Sequence, residues 1–432
     1  MFKQGELVEI ESEHLTYKGV FIKEEKDFIV IKLSNGYNIG IAKRHVKTSK
    51  SVGKAKETCE SHEQEKQNHK LPTIALLHTG GTIASKVDYE TGAVIAKFTE
   101  TDILRLFPEL KSLVNVKSSL LGNMQSEMMR FTHYNIIAKA IEEEANNGVD
   151  GVIVTQGTDT LASTAAALTF ALENIGIPVM IVGSQRSSDR GSTDAALNII
   201  SAANFIANSE FSGVAICMHE NNNDDSCLIL PACKTRKMHS SRRDAFRPIN
   251  SNPIARVNAE NKRIEFMSDY QKKDKNKKIL LKLFNEKLKV GLLKAHVQMY
   301  ASEITAYKDF DGLVVELMGL GHLPSMKVDD HTDENEKIMH AIVELAKKIP
   351  VVAAPQTIYG RINMNVYTPG RQLLDAGVIG NYTDMTPETA FIKLAWLLSN
   401  HHNEGIVRIK ELFEKNLRGE ISERSEKEHF LI

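Results

Sequence analysis

Ile74-Ala75-Leu76-Leu77-His78-Thr79-Gly80-Gly81-Thr82-Ile83-Ala84 decides how this chain is read. An apolar run of strand length that stops at paired glycines reads as a strand buried on both faces, and such strands belong to parallel sheets covered by helices. The glycines let the backbone turn and approach another group closely, so Thr82 is presented at the strand's carboxyl end. No G-K-[ST] follows, which argues against a phosphate-binding P-loop. Further along, Gly151-Val152-Ile153-Val154-Thr155-Gln156-Gly157-Thr158-Asp159-Thr160 repeats the pattern of a buried run, a glycine, then a hydroxyl and a carboxylate. Alone, Thr158-Asp159 reads as a helix N-cap with an acid favoured by the helix dipole. Two such tips on neighbouring strands converge, and in open α/β sheets ligands bind beyond the carboxyl ends of the strands.

Working outward, apolar runs at residues 113–116, 179–182 and 214–217 add strands, and helical periods at 132–147, 159–173 and 192–207 separate them. A further helix opens at Thr99 with Asp102 three residues on. A lysine-rich stretch at 272–289 precedes a second, smaller alternation with strands at 290–293, 312–316 and 351–354 and a helix opened by Thr386-Pro387. The tail, 404–432, reads as a charged amphipathic helix with a frayed end. Residues 1–50 instead alternate in short runs, with Asn35-Gly36 between Phe28-Ile29-Val30-Ile31 and Tyr37-Asn38-Ile39 as a hairpin signal. The expected organisation is a small β-barrel (1–50), a linker (51–70), a large α/β domain (71–268), a second linker (269–288) and a small α/β domain with a C-terminal helix (289–432). The barrel carries nine basic side chains against seven acidic, which favours an interaction or packing module over an RNA-binding one.

The whole chain has 432 residues, 42% hydrophobic and 25% charged, with net charge −1. That balance excludes a bulk electrostatic pull toward nucleic acid or membrane. Cys59, Cys217, Cys227 and Cys233 form no C-x-x-C pair, as in a reducing compartment. No uncharged apolar stretch approaches the roughly 20 residues that span a bilayer, and the N-terminus lacks the pattern of a signal peptide. A cytoplasmic protein is expected. His401-His402 are adjacent, and His78, His219 and His322 lack ligand spacing, so no metal site is expected.

The motifs T-G-G-T-I-A at 79–84 and T-Q-G-T-D-T at 155–160, in this order and spacing, closely resemble those of the L-asparaginase and glutaminase amidohydrolases, and the resemblance extends over roughly residues 71–400. It implies an asparaginase-like pair of α/β domains with parallel sheets. By that resemblance Thr82 is the nucleophile, and Thr158, Asp159 and Lys234 supply a second hydroxyl, an acid and an amine. Ser126 contributes to binding the substrate's carboxylate, Asp159 meets its ammonium, and backbone N–H groups around Gly81 and Thr158 form an oxyanion hole. A threonine hydroxyl needs a base to take its proton, a role a hydroxyl–lysine relay can fill. Lys237 is a rival to Lys234, which is preferred for its place after the strand Leu228-Ile229-Leu230. Tyr89 matches a tyrosine on a mobile loop that closes over substrate; the loop here is shorter than in secreted asparaginases, and a packed surface tyrosine is the other reading.

Three features depart from a plain asparaginase: the barrel, the linker, and the basic segment Thr235-Arg236-Lys237-Met238-His239-Ser240-Ser241-Arg242-Arg243-Asp244-Ala245-Phe246-Arg247. Together they resemble the D-subunit family of archaeal-type glutamyl-tRNA(Gln) amidotransferases. The resemblance implies a carbon–nitrogen ligase of protein biosynthesis, a heterodimer or heterotetramer built on a homodimer core. It implies that this chain releases ammonia from glutamine or asparagine, and that a partner, the E-subunit, uses ATP with magnesium to amidate Glu-tRNA(Gln). No cofactor is implied in this chain. Without a Walker motif or a basic, aromatic-studded groove, ATP and most tRNA(Gln) contacts fall to the partner. The basic segment reads either as a docking surface or as an intramolecular salt-bridge strip. A free-standing cytosolic L-asparaginase is the alternative, and a catalytically silent scaffold a third reading that the four catalytic candidates oppose.

Overall fold

The structure, a computed structural model, describes residues 2–3, 5–13, 15–33, 38–54, 68–81, 86–87, 94–95, 103–104, 106–186 and 192–430. Alternating apolar positions near the N-terminus build five strands, β1 (Glu6–Ser12), β2 (Thr16–Glu24), β3 (Phe28–Leu33), β4 (Asn38–Ala42) and β5 (Val46–Lys54). They form an antiparallel sheet in the order β4-β3-β2-β1-β5. One face buries Val8, Ile10, Phe21, Ile29, Ile31 and Ile41 in a core of their own. Register shifts at Leu7/Val8, Glu11/Ser12 and Phe21/Lys23 mark bulges, which bend and twist a sheet. The Asn35-Gly36 turn lies outside the described residues; the strands flanking it pair, with Phe28 opposite Ala42. The fifth strand runs four residues into the stretch expected as linker, because Gly53 and Lys54 pair with Leu7 and Glu6.

The large domain contains β6 (Thr73–His78), β7 (Asn115–Leu120), β8 (Gly151–Thr155), β9 (Pro178–Val182), β10 (Gly213–His219) and β11 (Ser226–Pro231). The short hairpin strands β12 (Thr235–Lys237) and β13 (Phe246–Pro248) follow, then β14 (Ala255–Asn258) and β15 (Ile264–Phe266). The main sheet runs β15-β14-β11-β10-β9-β8-β6-β7, parallel from β10 through β7 and antiparallel beyond β10. β8 is buried at all five residues, which is why its sequence is continuously apolar rather than alternating. Helices α1 (Phe131–Asn146), α2 (Leu161–Ala171) and α3 (Ala195–Asn208) pack against this sheet. Leu113 and Val114, expected to open a strand, are buried in the turn after a 3₁₀ segment (Pro108–Ser112), and the strand starts at Asn115. The candidate helix at Thr99 and Asp102 begins outside the described residues.

The small domain holds the parallel strands β16 (Val290–Lys294), β17 (Gly312–Leu317) and β18 (Val351–Pro355). Its helices are α4 (Ala301–Thr305), α5 (Asp333–Ala346), α6 (Thr368–Asp375), α7 (Pro387–His401) and α8 (Gly405–Glu414). The Thr386-Pro387 start holds: the Thr386 hydroxyl accepts from the Thr389 N–H at 3.3 Å. The alanine-rich α2 packs on α7, with Phe170 and Trp396 rings 5.4 Å apart, so one hydrophobic core runs through both domains. The segment between the domains is also held, with Asn135 Nδ2 donating to Phe284 O and Trp396 Nε1 to Lys282 O. The tail departs from the expected single helix. After Glu414 the chain leaves α8 and folds back, because the buried Lys393 Nζ donates to Phe413 O and Lys415 O and lies 2.6 Å from Glu420 Oε1. Among the described residues no helix is long and apolar enough to cross a membrane.

Candidate active site

The two glycine turns meet at the carboxyl ends of the adjacent strands β6 and β8. The Thr79 N–H and its Oγ1 both donate to Thr155 O, at 3.1 and 3.0 Å. Gly81 has φ +82°, and a Cβ there would stand 2.5 Å from Gly157 N. Only glycine fits where one turn lies against the backbone of the other. Ser126 closes the third side: a Cβ on Gly157 would meet its Oγ at 2.9 Å. Ser126 is buried, its Oγ accepts from the Asp159 N–H at 3.2 Å, and its carbonyl accepts from Thr160 Oγ1 at 2.7 Å. Gly81, Ser126, Thr158 and Asp159 therefore share one corner of the sheet, whereas Thr82 and Tyr89 lie outside the described residues.

The amine facing this corner is Lys237. Its Nζ lies 2.8 Å from Thr158 Oγ1 and 2.7 Å from Asp159 Oδ1, with its side chain mostly covered and Asp159 open to solvent. Lys234, the preferred amine in the sequence, points elsewhere. Its Nζ is 2.6 Å from Asp384 Oδ2 in the small domain and donates to Ser422 Oγ at 3.0 Å. Both partners of this ion pair are about 2% exposed or less. Burial pushes the Lys234 ammonium below its ordinary range, and Asp384 opposes that shift. The physical reason for the difference is local geometry. Lys234 ends a buried 3₁₀ turn (Ala232–Lys234), whereas Lys237 lies on the strand that follows, on the same face as the buried Thr235. That period-2 relation to Thr235 is the signal that would have selected Lys237.

Surrounding charges are internally matched. Arg236 pairs with Glu388, Arg242 and Arg247 with Asp244, and Arg243 with Asp224, so the basic segment is a salt-bridge strip. The Arg242 guanidinium holds the Asp244 carboxyl below the usual carboxylate range. His219 is a satisfied buried histidine, with Nδ1 2.7 Å from Asn198 Oδ1 and Nε2 3.2 Å from Asp224 Oδ1. Cys217, Cys227 and Cys233 are buried free thiols. Among the described residues no cluster of three or more His, Cys, Asp or Glu could hold a metal ion.

Comparison with known proteins agrees with this architecture. The Asparaginase, N-terminal family model matches residues 73–272, and the Glutaminase/Asparaginase C-terminal domain model matches residues 289–413. The GatD N-terminal domain model matches residues 2–50. Among solved structures, the thermostable L-asparaginase from Thermococcus kodakarensis is similar with a TM-score of 0.70 and 29% identity, covering 81% of this chain and 99% of that one. Fold and site thus define an asparaginase-like enzyme carrying an added N-terminal sheet. Over nearly its full length the chain is also similar to the glutamyl-tRNA(Gln) amidotransferase D-subunit of Pyrococcus furiosus, with 41% identity across 98% of this chain and 94% of that protein. Its counterpart in Methanococcus maripaludis is 40% identical across 97% and 98%. The chain belongs to the D-subunit family of glutamyl-tRNA(Gln) amidotransferases.

Proposed function

We propose that this chain hydrolyses the side-chain amide of glutamine or asparagine and hands the ammonia to a partner, the E-subunit, which uses ATP and magnesium to convert Glu-tRNA(Gln) to Gln-tRNA(Gln). The observation that carries the chemistry is the contact of Lys237 Nζ with both Thr158 Oγ1 and Asp159 Oδ1 beside the Thr79-Gly80-Gly81 turn. The assembly is supported by the relatives' name and by the GatD N-terminal domain match at residues 2–50. In this reading Thr82 Oγ attacks the amide carbon while its proton passes toward Thr158 and Lys237. Backbone N–H groups near Gly81 and Thr158 face the developing oxyanion, one such donor being worth about 2.7–4 kcal/mol. The proton taken from Thr82 is returned through Thr158 and Lys237 to the amide nitrogen, so that ammonia leaves as the C–N bond breaks; water then cleaves the threonyl ester to give the free acid and the regenerated Thr82 hydroxyl. Asp159 binds the substrate's ammonium, Ser126 supports its carboxylate, and Tyr89 closes over it. No cofactor is required of this chain, which acts in the cytoplasm on a homodimer core, with tRNA(Gln) held mainly by the partner.

Thr82→Val keeps the side chain's shape and removes its hydroxyl. It is expected to abolish ammonia release from glutamine and asparagine while circular dichroism stays that of the wild type; unchanged turnover would refute the mechanism. The likeness to solved L-asparaginases supports free-standing asparaginase activity as a second reading. Ammonia release by the chain alone and with the E-subunit, ATP and Glu-tRNA(Gln) separates the two.

A further inference from the structure

Lys234 sits in a buried network that the reaction does not use. Its segment is gripped from the small domain at three points: Thr389 Oγ1 donates to Cys233 O at 2.9 Å, Asp384 pairs with Lys234, and Glu388 pairs with Arg236. The C-terminal segment, beyond the residue at which the family model of the small domain stops, closes the arrangement. The Ser422 N–H donates to Asp384 Oδ1 at 3.0 Å, and Ser422 Oγ accepts from Lys234 and donates to Asn250 O at 3.2 Å. Asn250, in the left-handed region at φ +52°, donates in turn to Asp384 O and Gly360 O. Arg361 donates to Ser422 O and Glu423 O, fixing the strap from its other side.

A buried ion pair is a weak source of net stability compared with apolar packing, but it admits few alternative arrangements of the groups it joins. Here it fixes the backbone at residue 234, three residues before the amine that faces Thr158. We propose that the Lys234–Asp384 pair, with Ser422 on the Lys234 ammonium, is a positioning device through which the small domain and the C-terminal strap hold Lys237 on Thr158 and Asp159. Lys234 is then a positioning residue, and residues 415–425 are part of what sets the active-site geometry. The inference rests on Lys237 serving the reaction as proposed above.

The test uses the full-length chain assembled with its partner and compares Ser422→Ala, Asp384→Asn and Lys237→Met with the wild type. Displacing a reacting group by about 1 Å can cost about a hundredfold in rate. Asp384→Asn is therefore expected to lower kcat for amide hydrolysis between about tenfold and a hundredfold, and Ser422→Ala by several-fold, with KM within about twofold. Should Asp384→Asn fail to fold, Ser422→Ala alone decides, since it removes one part-buried hydroxyl. If the variants melt earlier but keep kcat and KM per folded molecule, the pair is a staple and the positioning role is overturned. Lys237→Met separates the two layers: residual wild-type hydrolysis there defeats the proposed function, whereas an inactive Lys237→Met beside wild-type-like Ser422→Ala and Asp384→Asn defeats only the positioning role.

Discussion

Lys234 and Lys237 lie three residues apart and answer to different partners, one to a buried aspartate in the small domain and the other to the strand tip. Their substitutions should therefore separate. Lys237→Met is expected to lower amide hydrolysis at least about a hundredfold, the scale of a lost proton-transfer group, with little change in melting temperature. Lys234→Met leaves Asp384 buried without its cation, a defect worth about 3–5 kcal/mol, and should lower the melting temperature together with kcat. A second prediction concerns His78, whose Nδ1 lies 2.7 Å from Thr155 Oγ1 and whose pKa burial pulls down to about 4. An imidazole in the unfolded chain titrates near 6.5. Below that pH the unfolded state takes up a proton that the folded state refuses, so stability present above about pH 6.5 is lost as pH falls toward 4, at up to about 1.4 kcal/mol per unit. Urea midpoints measured across that window should fall less steeply in His78→Gln; equal slopes would contradict the assignment. That Gly81, Thr158 and Asp159 share one corner was legible in the sequence because they sit at the ends of two buried strands. Lys237 was harder to select because its place depends on a hairpin partner, Phe246, nine residues away.

At the level of elements, the tip of β6 depends on Gly81. Gly81→Ala would force a β-carbon to within 2.5 Å of Gly157 N and 2.8 Å of Gly157 Cα, backbone atoms that cannot rotate aside. The left-handed φ adds about 1–2 kcal/mol. Amide hydrolysis should be lost and the urea midpoint lowered; full activity would mean that the two turns do not touch as described. Strands β6, β8, β9 and β10 were readable from apolar runs because both faces of a parallel sheet are covered. Residues 113–116 misled because an apolar pair reports burial and says nothing of backbone conformation. The tail misled for the opposite reason: its charges suggested an exposed helix, whereas Glu420 is fully buried against Lys393 and its oxygens accept from the Leu417 and Arg418 N–H groups.

On the scale of the molecule, every described member of the site lies beyond the N-terminal sheet, which keeps a core of its own. A chain lacking residues 1–65 should hydrolyse a simple amide at a rate within about twofold of the full chain, yet lose tRNA-dependent amidation or assembly with the E-subunit. Collapse of hydrolysis in a folded truncation would place the sheet in the active site. The N-terminal antiparallel sheet and the asparaginase-like α/β fold that follows it were legible from shifts in sequence grammar. The continuity of the core across α2 and α7 was not, because it depends on contacts between residues more than two hundred apart. The most direct test of the account follows an isotopically labelled side-chain amide nitrogen of glutamine in the assembled complex supplied with ATP, magnesium and Glu-tRNA(Gln). Wild-type chain should carry the label into tRNA-bound glutamine and Lys237→Met should not, whereas equal transfer by both would contradict the assignment of this site as the source of ammonia.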